Sequence, residues 1–316
     1  MIQNRRAFII GIRSFSLSKK EIFFLKKYKP WGVILFSRNI KDIRQTYKLT
    51  SKIRKIFKDK KYPILIDEEG GRVNRIKNII DTSLFTAEFF GKLFIKDKNK
   101  FKNIFNVYVN QISHVLHKIG VNINTVPMLD VRRINSNNII GDRSYSSKTK
   151  IVSDIGNLCI NKFHNNNIGT VMKHIPGHGL AKVDSHKKTP IVVENLKRLE
   201  KIDFRSFKDK KTFICMTAHI LYQKIDNINV ATHSKKVINL IRKKIKFKNI
   251  IITDDISMKA LNKSIKINTI SSFEAGCNIV LHCNAKYSEM LIVAKNSPLL
   301  NKFVIKKTSQ LYEILS

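Results

Sequence analysis

The sequence predicts an α/β fold, a single (β/α)8 TIM-type barrel formed by residues 1–316 as one domain. Short apolar, β-branched runs alternate with amphipathic stretches of helical period, and there are eight such runs. No Gly-, Ser- or Pro-rich linker divides the chain. The predicted strands are 7–12, 32–36, 64–67, 122–126, 170–173, 213–217, 250–253 and 278–282, and the helical stretches are 19–29, 40–57, 101–118, 148–165, 235–246 and 285–295.

Alternating strands and helices indicate parallel strands with helical crossovers, which a closed barrel satisfies most economically. A doubly wound open sheet is the rival, but its GxGxxG loop is missing after the first strand. The first strands of the barrel could be irregular. The first helix begins with Ser18 and has Glu21 three residues later, which is the spacing of a capping box.

The formal net charge of +37 is the most unusual property of the chain. Such an excess favours nucleic acid, an anionic membrane surface or an acidic substrate as the partner. However, the basic residues are spread along the whole chain, and no arginine-rich arm or zinc-finger spacing accompanies them. We therefore expect no nucleic-acid partner, and we attribute the excess to a composition-wide bias.

The sequence indicates a cytoplasmic protein without a membrane span. No apolar run approaches the roughly 20 residues that a spanning helix needs. The apolar run near the N-terminus is short and is interrupted by Arg13, which argues against a signal peptide. The chain is expected to be a monomer with buried, reduced thiols at Cys159, Cys215, Cys277 and Cys283.

The segment KHIPGHGLAKVDSH, residues 173–186, is the densest group of chemically capable side chains. A strand ends at Lys173, and the Pro-Gly-His-Gly sequence that follows predicts a sharp turn. Asp184 beside His186 would orient the imidazole and favour its charged form, as a general acid requires. The same loop also supports a metal site, because His174, His178, Asp184 and His186 are all possible ligands.

Two further strand ends carry carboxylates. Asp254 and Asp255 follow an apolar run, and one of them can serve as nucleophile or metal ligand. Because consecutive residues of a strand point to opposite sides, we expect only one to face the site, with the other capping a helix. Asp67 precedes a Gly-Gly turn and Arg75, a combination that suits recognition of sugar hydroxyls, and Arg143 can add another donor.

The ordered motifs together resemble glycoside hydrolase family 3, and within it the bacterial cytoplasmic β-N-acetylhexosaminidases of peptidoglycan recycling. The resemblance runs from about residue 7 to 290. The motifs that carry it are GVILFSRN (32–39), IDEEGGRVNR (66–75), VNINTVPMLDV (121–131), GDRSY (141–145), KHIPGHG with DSHKKTP (173–190), MTAHILY (216–222), ITDDISM (252–258) and AGCNIVLHCN (275–284).

The resemblance implies a role for each matching residue. Asp254 is implied as the nucleophile, His186 as the acid/base and Asp184 as its partner in a dyad. The implied substrate-binding residues are Asp67, Arg75, Arg143, Lys173 and His174. No metal or other cofactor is implied.

The chain departs from the family pattern near the site. Glu68 stands where glutamine is usual, Met172 where glycine often precedes the lysine, and Thr217 where proline is common. Thr125 and Val126 replace the usual Phe-Ala. Met172 and the Thr125–Val126 pair are expected to reshape the strand ends and weaken binding.

The implied reaction is double displacement with retention of configuration. Its implied substrates are muropeptide fragments, small molecules in which N-acetylglucosamine is β-linked to an N-acetylmuramic or anhydromuramic unit. The alternatives are a metal-dependent hydrolase, a catalytically decayed sugar- or nucleic-acid-binding protein, and a hydrolase assisted by the 2-acetamido group of the substrate.

Overall fold

The computed structural model describes residues 2–133, 140–181, 183, 185 and 188–315 of the chain. Eight parallel strands form a closed barrel, and a two-stranded parallel sheet lies outside it. In chain order the strands are β1 (Arg6–Gly11), β2 (Pro30–Leu35), β3 (Ile64–Ile66), β4 (Ile123–Asn124), β5 (Gly169–Ile175), β6 (Ile191–Val192), β7 (Ile214–Thr217), β8 (Leu221–Tyr222), β9 (Ile250–Asp255) and β10 (Ile279–His282).

The barrel closes in the order β1-β10-β9-β7-β5-β4-β3-β2, while β6 and β8 form the separate sheet. All eight predicted strands are barrel strands, so the predicted fold class is confirmed. The expected irregularity of the first strands is also present, because the β1–β2 pairing shifts register between Arg6 and Ile9.

Each strand of the barrel is followed by at least one helix, as parallel strands require. The helices are α1 (Lys19–Tyr28), α2 (Ile43–Phe57), α3 (Ala87–Lys96), α4 (Lys98–Lys118), α5 (Thr149–Asn165), α6 (Leu196–Lys201), α7 (Asp203–Phe207), α8 (Lys235–Lys243), α9 (Ile265–Ala275), α10 (Tyr287–Asn296) and α11 (Lys302–Ile314).

Every connection in the barrel thus contains at least one helix, and the segments after β3, β5 and β10 contain two.

The alternation of side chains along each strand separates two apolar cores. Phe8 and Ile10 of β1 pack outward against the helices, whereas Ala7 and Ile9 point into the barrel and join the inward residues of the other strands. Most strand residues are fully buried, because a parallel barrel is covered on both faces. The barrel interior is therefore packed with side chains, and only the ends of the strands are available for a site.

Helix α1 begins where the sequence predicts a capping residue. Ser18 caps α1 and forms a capping box with Glu21, as predicted. Helices α3, α6, α7, α9 and α11 are outside the predicted set. Helix α11 packs against the N-terminal end of the barrel, where the Trp31 indole N–H donates to the Thr308 hydroxyl at 2.9 Å.

Within the described ranges, no helix is long and apolar enough to cross a membrane. The four cysteines that the sequence predicts to be reduced are all free thiols, and three of them are buried. Cys283 is the exception, because it is partly exposed at the carboxyl end of β10.

Candidate active site

A cavity of about 180 Å³ is lined by residues at the carboxyl ends of the strands. This is the end at which a parallel barrel is expected to carry its chemistry. Six of the eight site residues predicted from the sequence border this cavity: Asp67, Arg75, Arg143, Lys173, His174 and Asp254.

The other two predicted residues, Asp184 and His186, lie outside the described residues. Ser185 is described, is buried, and borders the same cavity. Its carbonyl oxygen accepts a hydrogen bond from the Ala260 amide at 3.0 Å, which links this position to the segment after β9.

The turn after β5 is built as the sequence predicts. Gly177 has a φ of +137°, a conformation that glycine adopts without a steric penalty. Its amide donates to the His174 carbonyl at 2.7 Å, and its own carbonyl accepts a hydrogen bond from the buried Tyr222 hydroxyl. The turn at Gly177 is therefore fixed to β5 through its amide and to β8 through its carbonyl group.

Lys173 lies at the centre of a buried network of charges. Its side chain is 2% exposed, and its ammonium contacts the Asp67 carboxylate and lies 2.6 Å from Glu69 Oε1. Arg143 donates to both oxygens of Glu69, at 2.7 and 2.8 Å. Arg75 contacts the other oxygen of Asp67 at 3.2 Å. Opposite charges therefore alternate through this network, of which Asp67, Arg75, Lys173 and Arg143 border the cavity.

The network keeps its carboxylates ionised. Burial raises the pKa of Asp67, but the charges of Lys173 and Arg75 outweigh burial and lower it overall. Burial likewise opposes ionisation of Glu69, while Arg143 and Lys173 bring its pKa down to about 2. The network thus presents charged acceptors and donors of fixed orientation to the cavity, which is the arrangement that binds hydroxyl groups of a sugar.

His174 is oriented by Asp130, a residue that the sequence analysis did not select. Asp130 is fully buried and accepts hydrogen bonds from His174 Nδ1 at 2.7 Å and from the His178 amide at 2.6 Å. Burial opposes its charge, but His174 and His178 lower its pKa, so the acceptor is a carboxylate. With Nδ1–H bound to Asp130, His174 Nε2 has no hydrogen-bond partner among the described residues and is available to a ligand.

Asp254 is the last residue but one of β9, and one of its oxygens accepts no hydrogen bond in the described part of the chain. Its Oδ1 accepts the Asp255 amide at 2.7 Å, which leaves Oδ2. Burial opposes its ionisation, but the positive potential of His174 and His219 lowers the pKa overall. An ionised carboxylate with an unoccupied oxygen has the properties of a nucleophile.

Both adjacent aspartates border the cavity, so the expectation that only one would face it is wrong. The β9–β10 pairing shifts register between Ile279 and Leu281, and this irregularity interrupts the simple alternation of side chains. The two residues nevertheless differ in their partners. Asp255 accepts hydrogen bonds from the amide and hydroxyl of Ser257 and from the Cys283 amide, so its oxygens hold a turn.

The remaining histidines of the predicted strand ends have local partners. Burial lowers the pKa of His178 to about 4, and its Nε2 lies 3.3 Å from the Ser185 hydroxyl. His219 contacts the Thr232 hydroxyl and the Asp255 carbonyl. His282 lies 3.1 Å from Glu289 and does not itself border the cavity, although its neighbours Leu281 and Cys283 do.

In the described ranges, no group of three or more His, Cys, Asp and Glu side chains is arranged to hold a metal ion. The metal hypothesis required His174, His178, Asp184 and His186 together, and the last two lie outside the described residues. The rings of the first two are 5.6 Å apart, centre to centre, and His174 is already committed through Nδ1 to Asp130.

Sequence reasoning missed Glu69, Asp130 and the role of Thr125. Thr125 was treated as a departure that weakens binding, yet its hydroxyl donates to Asp67 at 2.6 Å and accepts from Lys173 at 3.2 Å. Met172 is buried in the core between barrel and helices, away from the cavity lining. A polar residue at the end of an apolar run was the available signal for Asp130, because it follows VNINTVPML directly.

Comparison with known proteins places the chain in a family. Residues 9–310 match the N-terminal domain of glycosyl hydrolase family 3. The β-hexosaminidase of Nitrosomonas eutropha is 32% identical over 264 residues, which cover 80% of this chain and 73% of that protein.

Two crystal structures of NagZ from Neisseria gonorrhoeae are similar in fold, each with 26% sequence identity and a TM-score of 0.84 over 98% of this chain and 90% of the other. One is a complex with zinc ion and the other a complex with N-trifluoroacetyl-D-glucosamine. The family resemblance predicted from the motifs is confirmed. The chain belongs to glycosyl hydrolase family 3 and is a β-N-acetylhexosaminidase of that family.

Proposed function

We propose that the chain is a retaining exo-β-N-acetylglucosaminidase that releases N-acetylglucosamine from muropeptide fragments during peptidoglycan recycling. The observation that carries this proposal is the ionised Asp254, with an unoccupied oxygen, at a cavity whose other wall holds Asp67, Arg75 and Lys173. A related structure in complex with N-trifluoroacetyl-D-glucosamine supports the choice of sugar.

The size of the cavity favours removal of one terminal sugar. Its volume of about 180 Å³ is smaller than the ~300–1,000 Å³ typical of sites for drug-sized ligands. A single pyranose ring suits such a space better than an extended chain does. The aglycone would then lie toward the open side of the cavity.

In the proposed reaction an Asp254 oxygen attacks the anomeric carbon while the glycosidic bond breaks and His186 protonates the departing oxygen. A glycosyl ester of Asp254 results. His186 then takes a proton from water, the hydroxide oxygen attacks the anomeric carbon, and the Asp254 carboxylate leaves. Asp184 would orient His186 throughout. The roles of Asp184 and His186 rest on the family resemblance, because both residues lie outside the described ranges.

The described residues supply binding and orientation. Lys173, Asp67 and Arg75 would hold the sugar hydroxyls, and the available Nε2 of His174 would contact the same ring. Arg75 Nε is buried and has no hydrogen-bond partner among the described residues, so it would be a donor for the substrate. Arg143 would act mainly by holding Glu69, which in turn fixes Lys173.

The proposal also covers the setting of the reaction. The enzyme would act in the cytoplasm as a monomer, with residues 1–316 forming one catalytic domain, without a cofactor and without nucleic acid as partner. Muropeptides carry lactyl and peptide carboxylates, and a net charge of +37 would attract such anions to the cavity.

The test is hydrolysis of 4-nitrophenyl N-acetyl-β-D-glucosaminide, with the anomeric configuration of the first product followed by NMR. We expect turnover, an initial β-anomer, and full activity in the presence of EDTA. An initial α-anomer would refute double displacement. Loss of activity with EDTA and its return with added zinc would instead support the metal-dependent hydrolase.

A further inference from the structure

Glu68 is a buried carboxyl group next to the cavity that none of the proposed catalytic steps uses. Its side chain lies on the segment that follows β3, between Asp67 and Glu69, and is 1% exposed. It does not border the cavity. Its main chain is fixed by Asn124, whose side-chain amide donates to the Glu68 carbonyl at 2.8 Å and accepts from its N–H at 3.0 Å.

The carboxylate of Glu68 receives three hydrogen bonds from the loop that carries Arg75. Oε2 accepts the backbone N–H groups of Arg75 at 2.6 Å and Ile76 at 3.2 Å, and Oε1 accepts the Thr82 hydroxyl at 2.9 Å. The Arg75 side chain borders the cavity and reaches Asp67. The backbone from which this arginine extends is therefore held by Glu68.

We propose that Glu68 is a positioning residue for Arg75, and that the protonation of Glu68 adjusts how firmly Arg75 is held for sugar binding. The proposal rests on the proposed function for its substrate. It concerns binding, because Glu68 touches neither the cavity nor the reacting atoms.

The geometry allows the carboxyl group to gain a proton without losing a partner. A proton taken from water can sit on Oε1, where the Thr82 hydroxyl turns from donor to acceptor. Oε2 then becomes the carbonyl oxygen of a neutral acid and still accepts the Arg75 and Ile76 amides. These two bonds lose their charge assistance, and charge-assisted hydrogen bonds are roughly twice as strong as neutral ones.

The surroundings place this protonation in the neutral range. Burial raises the pKa of Glu68 to about 7 and the negative charge of Asp67 adds to the rise, while the bonds from Thr82, Arg75 and Ile76 oppose it. Glu69 is the other carboxylate beside it in the chain, and Tyr108 of α4 is also close enough to interact with its charge. Burial raises the pKa of Tyr108 well above its ordinary value, so this phenol stays neutral.

The raised pKa of Glu68 also makes the stability of the fold depend on pH. Because the folded-state pKa of Glu68 lies above the unfolded value, the native chain holds a proton that the unfolded chain releases between roughly pH 4.5 and 7. This contribution to stability is present at low pH and is lost as the pH rises through about 7. Ionisation of Glu68 therefore strengthens its hydrogen bonds from the Arg75 and Ile76 amides, and at the same time it lowers the free energy of unfolding.

The test compares the wild type with Glu68→Gln between about pH 5.5 and 8.5. The amide is isosteric with the protonated acid, since its oxygen can accept both backbone N–H groups and its NH2 group can donate to Thr82. We expect the ratio of KM of the variant to KM of the wild type to rise from about 1 at the acid end to about 3 at the alkaline end. Over the same range the variant should gain stability relative to the wild type in urea unfolding.

A third readout needs no substrate. Hydrogen exchange of the peptide that contains Arg75 and Ile76 should be faster in the variant than in the wild type at pH 8.5, after correction for the intrinsic rate, and equal at pH 5.5. A merely structural glutamate would move stability and binding in the same direction. The proposal instead predicts that Glu68→Gln weakens sugar binding and raises stability at alkaline pH.

Glu21→Gln is the matched control. Glu21 is also buried, and it too accepts two backbone N–H groups and one hydroxyl, from Arg13 and Ser18, but it lies in the cap of α1. Its KM ratio should stay constant with pH, and exchange near Arg75 should be unchanged.

A flat KM ratio for Glu68→Gln, with equal exchange at both pH values, would overturn the proposal. If the wild type does not hydrolyse the glycoside, the proposed function fails separately. Exchange and unfolding then decide the role of Glu68, with unequal exchange at pH 8.5 supporting it and equal exchange refuting it.

Discussion

The two ends of the barrel both contain buried charges, but they satisfy them differently. At the N-terminal end Arg5 donates to Asp59 at 2.5 Å and to the Tyr312 hydroxyl at 2.9 Å, and Tyr312 donates to Asp59 at 2.8 Å. Helix α11 covers this end of the barrel. Arg5, Asp59 and Tyr312 therefore satisfy one another within the fold.

At the carboxyl end, by contrast, several polar atoms of the site residues lack a partner among the described residues. Arg75 Nε, His174 Nε2 and Asp254 Oδ2 have no hydrogen-bond partners in the described part of the chain, although their neighbouring atoms do. Of these three atoms Arg75 Nε is buried, and leaving a buried polar atom unpaired costs about 1–3 kcal/mol. The difference indicates that the N-terminal end serves stability, while the carboxyl end retains unpaired groups for a ligand.

The largest effect is expected from Asp254→Asn. The amide cannot form the glycosyl ester, so kcat should fall at least ~10²-fold while the fold persists. The measurement is steady-state hydrolysis of the chromogenic glycoside, with circular dichroism to check folding. Wild-type turnover by Asp254→Asn would contradict the assignment of catalysis to the carboxyl end of the barrel.

Asp130→Asn should have a smaller effect, because Asp130 acts through His174. The change replaces one carboxylate oxygen by an NH2 group that faces a donor, either His174 Nδ1–H or the His178 amide. We expect kcat/KM to fall by roughly tenfold or more, with an altered pH profile as the imidazole loses its anionic partner. An unchanged pH profile would mean that Asp130 only supports the fold.

Asp59→Asn is the counterpart at the opposite end. It leaves the Arg5 guanidinium, which is 2% exposed, without its carboxylate. The free energy of unfolding should drop by about 3–5 kcal/mol, as for other broken buried pairs. Urea unfolding measures the loss, and kcat and KM should match those of the wild type. A change in KM would show that the two ends are coupled.

The smallest expected effect concerns the net charge. If the +37 charge helps to capture anionic muropeptides, kcat/KM for them should fall a few-fold between about 50 and 300 mM salt, because screening shortens the range of attraction. The neutral chromogenic glycoside serves as control and should show no such dependence. Equal salt dependence for both substrates would contradict a role for the charge.

The barrel was predictable because each of its strands leaves a local signature. Apolar runs such as 250–253 are too short and too β-branched for helices, and their number alone suggested closure. Helices such as α7 (Asp203–Phe207) and α9 (Ile265–Ala275) were missed because they are short or lack a clear apolar face. Their existence depends on packing against the barrel, which a local pattern does not contain.

The site was predictable where a residue touches the cavity and less so where it acts through another. Asp254 and Lys173 interrupt apolar runs at strand ends, so position alone selects them. Asp130 and Glu69 contact partners more than 40 residues away along the chain, His174 in one case and Lys173 in the other. Such pairings are set by the closure of the barrel and have no signature along the chain.

The most direct measurement for the whole account is covalent trapping with a fluorinated N-acetylglucosaminyl substrate that forms the glycosyl-enzyme quickly and releases it slowly. Peptic digestion and mass spectrometry would then locate the sugar. The account predicts one sugar per chain, attached to Asp254, and none on Asp254→Asn. Hydrolysis of the parent substrate with no label on Asp254, or a label on Asp255 in its place, would contradict it.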